Sequence, residues 1–539
     1  MDSLKGLLDD GLTIAGQHPI ATLAAIGLSL KIGVDVVQKG RRGRLPPGPP
    51  SLPIIGNVLD FPTGLEAPHW AKHHAKYGPI SSVNALGQTI IIVNDAKIAS
   101  ELLEKRSAVY SDRPHFVFGG DMCGFDGALT LLQTGENFKT TRKRMHGYIG
   151  SRAAVARFAE LEEIETHRFL LHVLDKPDDF FQHIRTTAGA IILKISHGYV
   201  IKRDGKDAFV DLAHQVLDAF SVSLGSPWAV DILPSLKYLP SWLPGMGFKK
   251  LAHEYKKLSD ALVKRPQAFI KHEMATGEAR ESFALTELRK GVKDAGDEHS
   301  LMWAASSLYG GGADTTVSAV STFFLGVLLH PRVQKRAQEE IDSVIGNDRL
   351  PLLSDRPNLP YLEAVTKESL RWNSVVPMGV AHVSSKDDTY NGYFLPKGSI
   401  VMPNVWHMCH DPTVYHDPFE FKPERFLGTE GRAPEPDPSD LAFGFGRRIC
   451  PGKDLADPSL FLSVAMTLAV FNINKAKDAS GTEIEPLYEY TPGLISHPKE
   501  FKCSITPRSE KAVALIRSVE IEHPFEPSDS DKLANLSWE

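Results

Sequence analysis

The chain of 539 residues is 42% hydrophobic and 23% charged, an ordinary globular composition, and is long enough for one large domain or two. Its net charge of −6 offers no broad cationic surface to a phosphate backbone, so nucleic acid is not an expected partner. Cys123, Cys409, Cys450 and Cys503 show neither a dense disulfide framework nor close metal-ligand spacing, which suits a body facing the cytosol.

In chain order, residues 1–10 read as a short lumenal tail and 11–38 as a transmembrane anchor. No charge falls between Gly11 and Leu30, and ~20 such residues are needed to cross a bilayer as a helix. Asp9 and Asp10 precede the stretch while Lys39, Arg41, Arg42 and Arg44 follow it, which puts the basic side in the cytosol. A cleaved signal peptide and a surface-lying amphipathic helix are the alternatives. Residues 39–50, ending in Leu45-Pro-Pro-Gly-Pro-Pro50, read as a stiff basic and proline-rich spacer. Beyond it no repeat or low-complexity tract divides the chain, so 51–539 is read as a single catalytic domain.

Apolar residues at three- and four-residue spacing predict helices over 152–174, 253–273, 301–329 and 332–345. Alternating, turn-rich pieces predict short strands within 80–93 and 390–401. The expected fold class is mainly α with small β-sheets. Segment 233–245 is apolar and broken by prolines, either a loop packed on the core or an apolar edge dipping into the membrane. Within the helix at 301–329 stands Gly310-Gly-Gly-Ala-Asp314-Thr315-Thr316. Three interior glycines cost about 1 kcal/mol each relative to alanine, so a helix that runs through them is making room for something. Glu368 and Arg371 share a helix face, and Phe421-Lys-Pro-Glu-Arg425-Phe426 supplies a further arginine.

Near the C-terminus the chain reads Phe443-Gly-Phe-Gly446-Arg-Arg448-Ile-Cys450-Pro-Gly452, with a helix predicted over 454–469. Glycines on both sides of Cys450 let the backbone turn sharply and approach a flat ligand, and the helix start offers free amide donors that favour a thiolate.

This segment resembles the haem-binding signature of the cytochrome P450 superfamily, and the overall pattern is similar to microsomal-type fungal enzymes of secondary metabolism. The resemblance implies a P450-like fold and a haem b whose iron is held by the Cys450 thiolate, with Phe443, Gly446 and Arg448 around it. It implies Arg142 and His382, beside Arg448, as partners of the haem propionates, although Phe138 stands where most members carry tryptophan and Lys143 or Arg144 could replace Arg142. Asp314 and Thr315 match the acid-alcohol pair that delivers protons to iron-bound oxygen, while Glu368, Arg371 and Arg425 match a buried folding network.

By the same resemblance the expected activity is insertion of one oxygen atom from O2 into an apolar small molecule, a terpenoid or other secondary metabolite. Segments 116–129, 216–230 and 375–380 are the expected pocket. No dinucleotide fingerprint follows a strand, so electrons must come from elsewhere, and the resemblance implies NADPH and a separate cytochrome reductase, docking near Lys143, Arg144 and Arg447. The expected location is the endoplasmic reticulum membrane, single-pass, with the catalytic domain in the cytosol. A haem-thiolate isomerase, dehydratase or peroxygenase, or a non-catalytic haem protein, is the alternative. The sequon Asn535-Leu-Ser537 is read as chance, because a cytosolic segment does not meet the glycosylation machinery.

Overall fold

A small sheet and a large helical body share one interior. The structure is a computed structural model that describes residues 43–225, 228–428 and 430–536. The expected lumenal tail, the anchor and the first four residues of the spacer lie outside the described residues, as does Ser537.

The proline-rich segment lies along the first strand of the body. Ser82 donates to Pro46 O at 2.6 Å through its hydroxyl and to Pro47 O at 2.9 Å through its amide, and a side chain at Gly48 would strike the Ser82 carbonyl. After α1 (Glu66–Tyr77) come β1 (Ile80–Ala85) and β2 (Gln88–Val93), joined at Leu86-Gly87 with both residues at positive φ, as a two-residue hairpin turn requires. β2 pairs in parallel with a later strand, Ile400–Pro403, whose other edge takes the short strand His382–Val383. Ile91 and Val93 face one apolar cluster and Ile90 and Ile92 another, so β2 is buried on both faces as its unbroken apolar run demands.

The helical body is built from α2 (Glu136–Ile149), α3 (Ala159–Asp175), α4 (Phe180–His197), α5 (Ala208–Leu224), α6 (Phe248–Thr276), α7 (Ala295–Leu329), α8 (Pro331–Val344), α9 (Pro360–Trp372), α10 (Val405–Cys409), α11 (Lys453–Val470) and α12 (Glu510–Glu522). At 35 residues α7 is about 52 Å long and threads the centre. It starts six residues before the periodicity predicts, because Asp294 caps it by accepting from Asp297 N at 2.8 Å. By length and composition it could cross a membrane, but its apolar sides are covered by the rest of the protein, which makes it a core helix. The helix predicted over 152–174 is instead a single turn capped by Ser151, a 3-10 turn, and then α3.

Pro266 interrupts α6 and frees the carbonyl of Leu262, and Ser306 on α7 donates to that carbonyl at 3.4 Å. The break in one helix thus becomes a tie to the next.

Glu368 and Arg371 are fully buried rather than an exposed pair. The Arg371 guanidinium grips the Glu368 carboxylate at 2.7 and 2.8 Å, and Arg425 Nε reaches it at 3.2 Å. Arg371 also donates to the carbonyls of Cys409, Pro418 and Glu420, and Arg425 to those of His416, Asp417 and Glu420 and to Glu435 at 2.7 Å. Two acids balance two guanidiniums, and their spare donors pin the irregular chain that leads towards Cys450. Replacing Glu368 with Gln leaves two buried guanidiniums short of charge and should cost about 3–5 kcal/mol, read as a lowered denaturant midpoint; an unchanged midpoint would remove this network from the fold's supports.

Candidate active site at Cys450

Gly444 and Gly446 turn the chain at φ +78° and +53° so that Cys450 N can donate back to Phe443 O at 2.8 Å. A side chain at Gly446 would also strike the Leu103 carbonyl, so this position serves the close approach of the loop to the segment before it. Phe443 packs against the central core and Lys453 stands 5.8 Å over its ring. The Cys450 thiol is accessible, yet it lies deep enough that lost water pushes its pKa up. The amides of Gly452 and Lys453 at the start of α11, and the charge of Arg142, pull it back down.

The other cysteines are closed in. Burial raises the thiols of Cys409 to about 11 and of Cys123 and Cys503 to about 12, and Cys409 lies in α10 against the Ser374 hydroxyl. Among the four cysteines, Cys450 alone is exposed.

Beside the loop, cations gather. Arg448 donates to Ser111 O at 2.7 Å and Leu132 O at 2.6 Å and lies 3.8 Å over the Phe138 ring, so phenylalanine supplies the aromatic face where tryptophan is usual. Arg113, which the sequence reading missed, is buried and donates to the carbonyls of Thr130, Val380 and Ala381 at 3.0, 2.6 and 2.8 Å. Desolvation and the charge of Arg448 depress Arg113, and desolvation and the charge of Arg142 lower Arg448 to about 10 against the pull of Asp112. Arg142 on α2 is lowered by burial and raised by Cys450. Burial, then Arg113 and Arg448, hold His382 far below its usual value, with its Nδ1 2.6 Å from Tyr110 O.

Among the described residues none of these three guanidiniums is ion-paired, and Asp112 is the one acid acting on Arg448. Such a set is electrostatically incomplete. The two carboxylates of a haem would complete it and reverse the pressure on His382, so the residues fit that group.

Between long buried stretches α7 is exposed at Gly311 and partly accessible at Gly312, Ala313, Thr315 and Thr316. The three glycines divide their work. Gly311 opens on free space, Gly310 nears Leu217 and Leu262, and a side chain at Gly312 would meet Ile192 of α4 at 2.7 Å. Only one of them makes room for a ligand, while Gly312 lets two helices close. Leu129 bridges the two walls: its amide donates to Ser307, one turn before Gly311, and its carbonyl receives Arg448 at 3.5 Å. Thr315 donates to Gly311 O at 2.6 Å, and the neighbouring Asp314 carboxylate is held by His497 at 2.9 Å.

Two of the expected pocket segments, 116–129 and 216–230, meet each other, and the third, 375–380, meets Arg113 through Val380 O. Phe118 stacks on Trp228 at 3.9 Å, Phe125 meets Phe220 edge-on at 5.1 Å, and Asp231 accepts from Phe118 N at 2.9 Å. Arg144 needs correction as a docking or propionate cation, because Asp297 at 2.6 Å and Glu287 at 3.2 Å neutralise it. Lys143 and Arg447 remain exposed.

The sequence profile of the cytochrome P450 family matches residues 46–505. Cytochrome P450 monooxygenase claR of Ampulloclitocybe clavipes is 51% identical over 494 residues, 92% of each chain. Cytochrome P450 monooxygenase 208 of Postia placenta is 46% identical over 488 residues, 90% of this chain and 95% of its own. The O-methylsterigmatocystin oxidoreductase of Aspergillus flavus is 42% identical over 507 residues, 93% of this chain and 95% of its own.

Replacing Arg448 with Met removes one charge-assisted contact of about 1.5–3 kcal/mol, so haem content at limiting haem should fall on the order of 10-fold. The ratio of Soret to protein absorbance measures it, and full retention would contradict the role given to this cation cluster.

Proposed function

The chain belongs to the cytochrome P450 family and is a haem-thiolate monooxygenase, and from that premise we propose that Cys450 would hold the iron while Asp314 and Thr315 govern proton delivery. Haem bound through a thiolate supplies activation of O2 and its insertion into an unactivated C–H bond. The observation that carries the reading is the exposed Cys450 beside the helix-end amides of Gly452 and Lys453, next to guanidiniums with no ion pair among the described residues, with Leu129 tying Arg448 to the helix that opens at Gly311 and Thr315.

Arg113, Arg142, Arg448 and His382 hold the propionates, and Phe443 and Gly446 shape the loop. Thr315 can give its hydroxyl either to Gly311 O or to a ligand in the open space, and Asp314 beside it is the proton donor. The half-buried Phe220 and Trp228, packed on the core residues Phe125 and Phe118, give this region an apolar character that suits a terpenoid or other apolar secondary metabolite.

Electrons come from NADPH through a separate flavoprotein reductase, with Lys143 and Arg447 among the exposed cations that would receive it. Residues 1–10 form a lumenal tail, 11–38 the anchor in the endoplasmic reticulum membrane, 39–50 the spacer and 51–539 the cytosolic catalytic domain. Tyr238 and Trp242, each 79% exposed, favour a membrane-dipping edge over a loop folded onto the core.

The test is turnover of a panel of apolar terpenoids and polyketides with a fungal reductase, NADPH and 18O2. One labelled oxygen per product, dependent on NADPH and reductase, is expected; product formed with neither would select the isomerase, dehydratase or peroxygenase reading. Thr315→Val should lower product per NADPH about 10²-fold, the scale of one general acid-base contribution, and raise peroxide; unchanged coupling would remove Thr315 from proton delivery.

A further inference from the structure

The acid of α7 has a partner that its motif does not announce. His497 lies 183 residues further along the chain, and its Nε2 meets Asp314 Oδ2 at 2.9 Å, with the imidazole more accessible than the carboxylate, 26% against 12%. The backbone of His497 is fixed without help from its ring. Thr491 N donates to His497 O at 2.8 Å, His497 N donates to Thr491 Oγ1 at 3.0 Å, and Tyr490 pairs with Pro498. Ser318, one turn after Asp314 on α7, donates to Ser496 O at 2.6 Å, and Ser496 N donates to Val375 O at 2.9 Å. An ion pair is therefore not needed to tie this segment to α7. A ring so placed, bonded to the carboxylate and itself partly accessible, is positioned to exchange a proton with Asp314.

We propose that His497 is a positioning residue of the reaction: it orients the Asp314 carboxylate and resupplies its proton. This rests on the function proposed above. In the step, imidazolium Nε2–H gives its proton to Asp314 Oδ2, leaving neutral imidazole and a carboxylic acid. The acid passes the proton on towards Thr315 and is a carboxylate again, and the imidazole, which keeps its Nδ1–H, regains a proton at Nε2 from hydronium, which leaves as water. No electrons move, and one proton crosses for each cycle of the pair. Motif reading stops at Asp314 because its partner arrives from a distant turn.

The test uses the holoenzyme and has two arms. In the 15N-histidine-labelled, dithionite-reduced, carbon monoxide-bound protein, which is diamagnetic, the His497 signals are assigned by their loss in His497→Gln; they should report a protonated Nε2 and shift in Asp314→Asn. In hydrogen peroxide-supported oxidation of guaiacol, which needs neither reductase nor native substrate, His497→Gln and Asp314→Asn should each slow the rate about 10-fold, and the double variant should be no slower than Asp314→Asn alone, because the two act as one unit. Melting temperatures within about 2 °C of wild type separate this from a folding effect. A wild-type rate in His497→Gln, single effects that multiply in the double variant, or His497 signals indifferent to Asp314→Asn would overturn the proposal. Absence of a haem spectrum in the wild-type protein would instead strike the proposed function, so the two failures are distinct.

Discussion

The sulfur proposed to hold the iron would have to carry negative charge inside the protein, and that constraint bears on everything arranged around it. Removing water from Cys450 raises the cost of its thiolate, and that cost is offset locally by the Gly452 and Lys453 amides and the Arg142 charge. Those amides are free because α11 begins there, and they reach the sulfur because Gly444 and Gly446 turn the loop at positive φ. The same four-residue reach puts Arg448 against Phe138 and the carbonyls of Ser111 and Leu132. Loop geometry, thiolate stabilisation and cation placement are therefore one arrangement.

Two buried charge systems flank that loop and differ in kind. Glu368, Arg371, Arg425 and Glu435 form a closed and balanced network whose remaining donors hold the carbonyls of the chain from Cys409 to Glu420. It has no use for a ligand and acts as scaffold. In the set of Arg113, Arg142, Arg448 and His382 no guanidinium has an ion pair among the described residues, an arrangement that anionic charge brought from outside would balance. Comparing the two separates the parts that build the site from the parts that bind.

What could be read from the chain alone follows from how local each signal is. The cysteine loop, the Asp314-Thr315 pair and the Glu368-Arg371 pair are contiguous motifs with fixed spacing, and the structure places each on the element expected. Long apolar periodicity revealed α7, but its first turns are polar and its start depends on the Asp294 cap. Arg113 and His497 act through contacts with residues far away in sequence, Val380 in one case and Asp314 in the other, and no spacing rule points to them. A hint for Arg113 lay in its position just after Asp112, whose backbone pairs with Val383 beside His382. Arg144 was misjudged because the acids that neutralise it, Glu287 and Asp297, belong to other elements. The glycine run was legible as an opening, while the packing role of Gly312 against Ile192 required the neighbouring helix.

The most direct measurement of the central assignment is the carbon monoxide difference spectrum of the dithionite-reduced protein beside its Cys450→Ala and Cys409→Ala variants. Thiolate ligation by Cys450 requires a red-shifted Soret band in the wild-type protein that survives in Cys409→Ala and disappears in Cys450→Ala. A band that persists without Cys450, or that is lost with Cys409, would contradict the assignment of the iron's ligand.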